Sequence, residues 1–449
     1  MTAANPLVRC PQAPADLLLR DVRVLDPRAG IDARHDVRVR GGEIAELGTP
    51  AGLERLDGEE VVEGHGRLML LPAFFDPHVH LRTPGQEHKE DLETGTRAAA
   101  AGGYGGVIAM PNTDPVLDSA PLLRSVRDAA AREARVAVGF LPAITRGLEG
   151  EQLTEMAELM QAGALGFTDD GHPVESAGML RKALQYQRLC GGVLALHEED
   201  RTLSRGGSMH EGALSAALGL RGIPTIAEST MVARDAELAG YEEARVHFQH
   251  LSCRASVDAV AAARQHGWKV SSEVSPHHLL LTEEDVRELD TRMKMHPPLA
   301  GEDDRQALVE GLRSGTIDCV ATDHAPHARE EKEVPFEQAP MGTTGLETAF
   351  AALHTGLVLS GVLGLGLLVE RMTAGAALFD LPLARIAKGE PANLTLVDLD
   401  AEWVAGEHGW ESRSENCCFG GRSIRGRVLL TLSAGAVVYR ERAFSVVAA

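Results

Sequence analysis

Eight short apolar runs, each followed by a stretch with helical spacing, constrain the fold of this chain more than any other feature. The runs are MLLPAFF, GGVIAM, RVAVGF, ALGFT, GVLAL, ARVHFQ, KVSSEV and DCVAT. Between them lie segments such as Asp303 to Gly315, where acidic residues begin a predicted helix and a glycine ends it. Eight strands that alternate with helices are what a (β/α)8 barrel requires, so we predict this α/β fold for the middle of the chain.

The two ends of the chain have a different pattern. Apolar and polar residues alternate in residues 16–48, and they do so again in ANLTLVDLD and GRVLLTLSAGAVVYR near the other end. Such alternation is typical of antiparallel strands. We therefore expect a small β-sandwich domain that is formed by residues 1–68 and 389–449 and flanks a barrel over residues 69–388.

Composition limits the classes of partner. The 449 residues are 44% hydrophobic and 24% charged, as in ordinary globular proteins, and their formal net charge is -21. This acidity argues against non-specific binding to nucleic acid or to an anionic membrane. The sequence shows neither a signal-peptide pattern nor a run of about 18 apolar residues. The six cysteines are scattered without a CxxC pair, which predicts a reduced, cytoplasmic protein.

Polar side chains follow most of the eight runs. In an extended strand every second side chain shares a face, so the stretch DPHVHLR presents four polar groups together: Asp76, His78, His80 and Arg82. Later runs are followed by PNT, by TDDG, by His197, by His250 and by Asp323 with His324. The carboxyl ends of barrel strands open onto one mouth. Because imidazoles and carboxylates suit zinc, we predict a zinc site there.

The segment DPHVHLRTPGQEHKEDLETGTRAAAAGGYGGVIAMPNT resembles the signature of the amidohydrolase superfamily, and specifically that of class I dihydroorotases. The resemblance continues through GFTDDG, LHEED, FQHLS, EVSPHHLLLTEEDV, KMHPPL, GTIDCVATDHAPH and GLETAF. It covers residues 17 to 440 in order.

This resemblance implies a site for two zinc ions per subunit. The implied ligands are His78, His80, Asp170, His197, His250 and Asp323. Related cyclic-amide hydrolases usually bridge the two ions with a carboxylated lysine, but LGFTDDGHP contains no lysine, and an aspartate bridge is typical of class I dihydroorotases. Alignment to the family pattern selects Asp170 as the bridge. On chemistry alone Asp169 stays an alternative, since either carboxylate could reach two ions.

The implied activity is the reversible cyclisation of N-carbamoyl-L-aspartate to L-dihydroorotate in de novo pyrimidine biosynthesis. A metal-activated hydroxide would attack the amide carbonyl, and Asp323 would carry the proton as general acid and base. The resemblance places these residues around the substrate: His80, Arg82, Asn112, His296, His327, Met341 and Gly342. The Arg82 fork suits a carboxylate. His296 stands where the family usually has asparagine, and Ala300 stands where it usually has arginine.

Two other functions remain as alternatives. A cyclic-amide hydrolase of the allantoinase or dihydropyrimidinase type is disfavoured by the missing lysine and by the pairing of Arg82 with Asn112. A non-catalytic partner of aspartate transcarbamoylase is disfavoured because every implied metal ligand is kept. The family also implies a homodimer, with aspartate transcarbamoylase as a candidate partner. We expect His277 and His278 to serve structure beside the mouth rather than to bind metal.

Overall fold

The computed structural model describes residues 6–442 and 444. The strands are β1 (Leu17–Asp26), β2 (Ile31–Arg40), β3 (Glu43–Gly48), β4 (Glu60–Glu63), β5 (Met69–Pro72), β6 (Phe74–Val79), β7 (Tyr104–Ala109), β8 (Ala137–Phe140), β9 (Phe167–Thr168), β10 (Leu194–Leu196), β11 (Met209–His210), β12 (Gly222–Ile223), β13 (Val246–Phe248), β14 (Val270–Val274), β15 (Cys319–Val320), β16 (Leu394–Val404), β17 (Ser423–Ser433) and β18 (Ala436–Arg440). The α-helices are α1 (Leu92–Ala101), α2 (Ala120–Glu133), α3 (Met156–Gln161), α4 (Ala177–Cys190), α5 (Arg201–Ser204), α6 (Ala213–Leu218), α7 (Ile226–Glu242), α8 (Arg254–Gln265), α9 (Pro276–Leu280), α10 (Glu302–Ser314), α11 (Arg329–Lys332), α12 (Ala349–Leu353), α13 (Leu365–Thr373) and α14 (Gly375–Leu378).

Parallel strands occupy the middle of the chain, where the apolar runs predict them. One sheet has the order β6-β7-β8, and a second has the order β15-β14-β13-β10-β9. Backbone hydrogen bonds join the two sheets between β8 and β9, from Leu165 N to Phe140 O at 3.1 Å and from Thr168 N to Pro142 O at 3.0 Å. On the other side, His80 N donates to His324 O at 2.9 Å. These bonds join the two parallel sheets on both sides, so the carboxyl ends of strands that are distant in sequence lie close together.

The first predicted run divides between two sheets, which corrects the expectation that it forms a single strand. Its first part, β5, pairs with β1 and β16 of the other sheet, whereas β6 begins at Phe74 and pairs with β7. The change of partner occurs at Ala73, whose N–H bonds Asn393 O at 3.0 Å. Both strands are buried throughout. Hydrophobicity alone therefore could not separate them.

Both ends of the chain contribute strands to one sheet, with the order β18-β17-β16-β5-β1-β2-β3 and with β4 paired to β1. The pairing is antiparallel between β1 and β2 and between β16 and β17, as the alternating pattern predicts. Apolar side chains from both ends pack in one cluster that includes Leu19, Val24, Leu394 and Leu430. The sheet is thus built from segments that lie hundreds of residues apart.

The largest core lies between the parallel strands and their helices. Helix α1 begins at an N-cap, Asp91, whose side chain accepts from Thr94 N, and it buries Ala98, Ala99 and Ala100. Such caps typically contribute about 1 kcal/mol to helix stability. This helix directly follows the loop that carries Arg82. Between residues 6 and 442, no helix is both long enough and apolar enough to cross a membrane.

Candidate active site

The predicted metal ligands lie in or directly after the parallel strands. His78 is in β6, and the others follow a strand end by one to three residues: His80, Asp170, His197, His250 and Asp323. Two of them have left-handed backbone conformations, with φ of 29° at His250 and 47° at Asp323, and Arg82 has φ of 57°. Non-glycine residues rarely adopt these angles, and such conformations concentrate at functional sites.

The carboxylate of Asp170 lies at the centre of four imidazoles. Its Oδ1 is 3.5 Å from His78 Nε2 and 3.7 Å from both His197 Nδ1 and His250 Nε2. Its Oδ2 is 3.5 Å from His80 Nε2. All five residues are buried. One carboxylate therefore faces two groups of histidines: His78 with His80, and His197 with His250.

Asp323 completes one of these groups. Its Oδ1 lies 3.0 Å from His80 Nε2 and 3.6 Å from His78 Nε2. In the other group, His197 Nδ1 is 3.0 Å from His250 Nε2. Donor atoms around a tetrahedral zinc, with bonds of about 2.0–2.1 Å, lie about 3.3 Å apart. The donor set thus has the chemistry and the spacing to hold divalent metal, and His78 Nε2 is buried without a hydrogen-bond partner among the described residues.

Asp169 faces away from the imidazoles. Its Oδ1 accepts from Ile144 N at 2.8 Å and from Thr145 N at 3.0 Å, and its Oδ2 accepts from the Thr145 hydroxyl. Burial raises the pKa of Asp169 to about 6, against the effect of these bonds. The geometry therefore favours Asp170 over Asp169 as the carboxylate between the two groups.

The pKa values of the two carboxylates that face the histidines are lowered. Burial would raise the pKa of Asp170, but the charge of His78 and the close imidazoles of His197 and His250 hold it well below the usual range. Burial would also raise the pKa of Asp323, but the hydrogen bond to His80 and the nearby imidazole charges lower it. Anionic carboxylates are the form that metal ligation needs.

Asp76 shares the strand face with His78, but it has a different role. Its carboxylate accepts from Thr322 Oγ1 at 2.6 Å, from Thr322 N at 3.2 Å and from His78 N at 3.1 Å. Burial raises the pKa of Asp76 to about 7. It thereby joins β6 to the segment after β15, next to Asp323.

The two residues predicted to hold a substrate carboxylate lie beside the ligands. Arg82 is buried, and its Nε donates to Pro326 O at 3.2 Å. Burial lowers the pKa of Arg82, although the charges of Asp323 and Asp170 oppose this effect. Asn112 accepts from His80 Nδ1 at 2.9 Å and donates to Asp170 Oδ2 at 3.2 Å. Asn112 therefore bonds two of the predicted ligands, contacts that its sequence position did not indicate.

A second group of predicted substrate residues surrounds the segment after β15. His327 Nε2 donates to Met341 O at 2.8 Å. The Asn416 side chain accepts from His327 N at 3.1 Å and donates to Gly342 O at 3.1 Å and Ala325 O at 3.0 Å. Sequence reasoning missed Asn416, because it lies in the loop between β16 and β17 and belongs to no motif near the parallel strands.

His296 lies at the entrance to the site. Its Nε2 is 2.8 Å from Glu199 Oε1, and its ring centroid is 5.0 Å from that of His197. His296, Glu199 and Met341 line an open cavity of about 390 Å³. Ala300 and His296 also line a smaller neighbouring cavity.

The His277 and His278 pair is buried in α9, outside the groups of residues that could hold a metal. His278 Nε2 donates to Pro297 O at 3.0 Å. Burial lowers the pKa of His278 to about 4. The pair is therefore neutral near pH 7.

The sequence and the fold are similar to those of known proteins. A family described as dihydro-orotase-like matches residues 66–256. A protein named dihydroorotase from Syntrophotalea carbinolica is 43% identical over 425 residues, which are 94% of this chain and 99% of the relative. Another from Bacillus pumilus is 44% identical over 413 residues, which are 92% of this chain and 96% of the relative.

Solved structures agree with this similarity. L-hydantoinase from Arthrobacter aurescens superposes with a TM-score of 0.84 at 25% identity, over 95% of this chain and 96% of that one. The dihydropyrimidinase from Brevibacillus agri has a TM-score of 0.81 at 23% identity over 96% of each chain, which shows a common fold. With more than 40% identity over more than nine-tenths of its length, the chain belongs to the dihydroorotase family.

Proposed function

We propose that this protein is a zinc-dependent dihydroorotase, which interconverts N-carbamoyl-L-aspartate and L-dihydroorotate in de novo pyrimidine biosynthesis. The observation that carries the proposal is the Asp170 carboxylate among four imidazoles, with Asp323 and Arg82 beside it. The high identity to proteins named dihydroorotase supports the same activity. We also propose that the parallel strands close into a (β/α)8 barrel over residues 69–388, and that residues 1–68 and 389–449 form a β-sandwich domain.

The proposed metal ligands are His78, His80, Asp170, His197, His250 and Asp323. Two zinc ions bound there would supply an activated water and would polarise the amide carbonyl of the substrate. Asp170 would be shared between the two groups of histidines, because its two oxygens face both.

Asp323 is the proposed proton carrier. It is ionised in the folded protein, and its Oδ1 lies at the centre of the site, 3.0 Å from His80 Nε2. A carboxylate in this place can accept the proton of the attacking water and return it to the leaving nitrogen. The reverse sequence closes the ring.

Arg82 and Asn112 are proposed to hold the substrate carboxylate. The Nε of Arg82 is used by Pro326 O, which fixes the plane of the guanidinium and leaves its Nη groups for a carboxylate. Asn112 uses one amide N–H on Asp170 and retains a second. His80, His296, His327, Met341 and Gly342 complete the proposed substrate pocket.

The structural similarity to hydantoinases and dihydropyrimidinase makes their activities the second candidate. The substrates of those reactions carry no carboxylate that would need a buried arginine. The two proposals therefore differ in what Arg82 does.

The test combines metal analysis of carefully prepared, unchelated protein with assays of both directions. We expect about two equivalents of divalent metal, hydrolysis of dihydroorotate and cyclisation of N-carbamoyl-aspartate. Less than about half an equivalent of any divalent ion would contradict the metal assignment. Faster turnover of hydantoin or dihydrouracil than of dihydroorotate would favour the second candidate.

We further propose a cytoplasmic homodimer, with aspartate transcarbamoylase as a candidate partner. The family resemblance supports the dimer and the partner. The cysteines, which are all free among the described residues, support a reduced compartment.

A further inference from the structure

Glu273 is a buried carboxylate that contacts the proposed ligand His78 on the Nδ1 side of the ring, opposite the nitrogen that faces Asp170. It lies in β14 with 0% of its surface exposed. Its Oε1 is 2.7 Å from His78 Nδ1, and its Oε2 is 2.9 Å from His247 Nε2. Oε1 also accepts from the backbone N–H of His250 at 3.3 Å. One carboxylate therefore contacts a ligand from each of the two groups.

The contact with His78 determines which imidazole nitrogen carries the proton. A neutral histidine has one N–H and one free lone pair, and a carboxylate accepts only. A histidine that binds metal must be neutral, and in that form Glu273 stabilises the tautomer of His78 with hydrogen on Nδ1. The lone pair is then on Nε2, which faces Asp170 and Asp323 at 3.5 Å and 3.6 Å.

Gln249 offers a competing contact that would select the opposite form. Its Nε2 lies 3.3 Å from His78 Nδ1, where an amide N–H could donate only to a nitrogen without hydrogen. The Glu273 contact is shorter, at 2.7 Å, and it is charge-assisted. In addition, Gln249 Nε2 has Met110 Sδ at 3.3 Å as another acceptor. The hydrogen bond between His78 Nδ1 and Glu273 is therefore the stronger of the two contacts.

The far side of Glu273 is also fixed. His247 bonds Glu273 through Nε2, and its Nδ1 lies 2.9 Å from Ser271 Oγ. His247 is 1% exposed and packs against the Phe379 ring, with centroids 5.8 Å apart. Because both ends of the carboxylate are held, Glu273 has little freedom to rotate away from His78.

We propose that Glu273 is a positioning residue that fixes the Nδ1–H form of His78 and the backbone of His250, and thereby sets the affinity of the site for divalent metal. The inference rests on the proposed metal-dependent function. It explains why the chain keeps a buried carboxylate whose removal from water costs several kcal/mol. Outer partners of ligating histidines typically contribute 10–100-fold to metal affinity.

The test measures zinc affinity by competition with a chromophoric chelator, and it measures the visible spectrum of the Co²⁺-loaded protein. Glu273→Gln keeps the size of the side chain, but its amide is a weaker acceptor and can present N–H to His78. We expect zinc affinity to fall 10–100-fold and the Co²⁺ bands to change. Glu347→Gln is the matched control, since Glu347 accepts from Glu411 N at 2.9 Å and Ser412 N at 3.1 Å away from the site. The control should keep zinc affinity within twofold.

Unchanged zinc affinity and an unchanged Co²⁺ spectrum in folded Glu273→Gln would overturn the inference while leaving the proposed function intact. Wild-type protein that binds no metal would instead contradict the proposed function itself. If Glu273→Gln does not fold, His247→Leu provides the same comparison, because it removes the donor on Oε2 and leaves Glu273 in place. We expect a fall of about 3–10-fold for that variant, and no change would overturn the inference.

Discussion

Asp323 and Asp170 face the same histidines, and Asp323 is the one that we propose as the proton carrier. Asp170 faces four imidazoles, whereas Asp323 makes its short contact with His80 alone. Asp323→Asn keeps the size of the side chain and removes its basicity. We expect turnover of dihydroorotate to fall on the order of 10²–10⁴-fold, which is the usual scale of general acid–base catalysis. Steady-state assays at matched metal content check this, and turnover within a few-fold of wild type would show that another group moves the proton.

We propose that Arg82 serves both directions of the reaction, because both compounds carry the carboxylate that its fork would bind. Arg82→Met keeps much of the apolar stem and removes the fork. We expect kcat/KM to fall in both hydrolysis and cyclisation, through KM and kcat together, since the lost group both binds and orients. The control is Arg329→Met, where the side chain is 76% exposed and pairs with Glu333 on the surface. Loss of activity toward only one compound would contradict this role and reopen the hydantoinase alternative.

Among the elements, the loop between β6 and α1 must pack closely against the loop after β7. Gly85 has φ of 88°, and a Cβ there would overlap the backbone oxygen of Asp114. The same loops are joined by the bond from Asp114 N to Pro84 O at 3.0 Å. Gly85→Ala should displace Asn112 and raise KM for dihydroorotate about 10-fold or more, as steady-state assays would measure. Gly191→Ala is the control, since φ is 84° there but no atom lies within 4 Å of the added Cβ. Equal effects of the two substitutions would show that backbone strain, not loop contact, is responsible.

The loop that carries Met341 and Gly342 is held by a buried lysine. Lys332 Nζ donates to Thr291 O at 2.9 Å and to Pro340 O at 2.8 Å. Burial, with the nearby charge of Lys294, lowers the pKa of Lys332 from 10.5 to about 7. Between these two values the unfolded chain binds more protons at this group than the folded protein does, so its contribution to the free energy of unfolding rises with pH.

Lys332→Met removes this titration. Chemical denaturation between about pH 7 and pH 10 should show the stability of the wild type increasing relative to the variant. The full difference across the window is on the order of a few kcal/mol. A difference that stays flat over this range would contradict the lowered pKa.

At the scale of the whole molecule, the sheet that both chain ends build, here called the end sheet, contributes a loop to the candidate site. The loop between β16 and β17 reaches the loop between β6 and α1, where Glu90 accepts from the Ser412 hydroxyl and from Arg413 N at 3.1 Å. Farther along the same loop, Asn416 bonds the segments that hold His327 and Gly342. Two segments of the chain that are distant in sequence therefore share one active site.

Asn416→Ala should loosen this connection without touching the metal ligands. We expect kcat/KM for dihydroorotate to fall 10-fold or more while the metal content stays at the wild-type value. Asn393→Ala is the control, because Asn393 Oδ1 accepts from Ala434 N at 2.6 Å within the end sheet. If Asn416→Ala has wild-type kinetics, the loop between β16 and β17 only covers the site and does not shape it.

The sequence by itself determined which side chains reach the site. Alternation with period two placed His78, in β6, and His80, directly after it, on one side of the backbone, and the apolar runs located the strands that precede His197, His250 and Asp323. These signals are local, because the hydrophobic pattern of a strand depends on only a few adjacent residues. The family resemblance then supplied the ligand set and the implied reaction.

Only the tertiary structure decided how neighbouring residues divide their roles. Asp169 and Asp170 are adjacent and chemically identical. Thr145, from a loop more than 20 residues away, donates hydrogen bonds to Asp169, and Asp170 is left to face the histidines. Likewise Met69–Pro72 and Phe74–Val79 form one apolar run in sequence, yet they join different sheets. Glu273 and Asn416 bond residues that lie far along the chain. Such choices depend on which donors and acceptors meet after folding, and no local pattern encodes that.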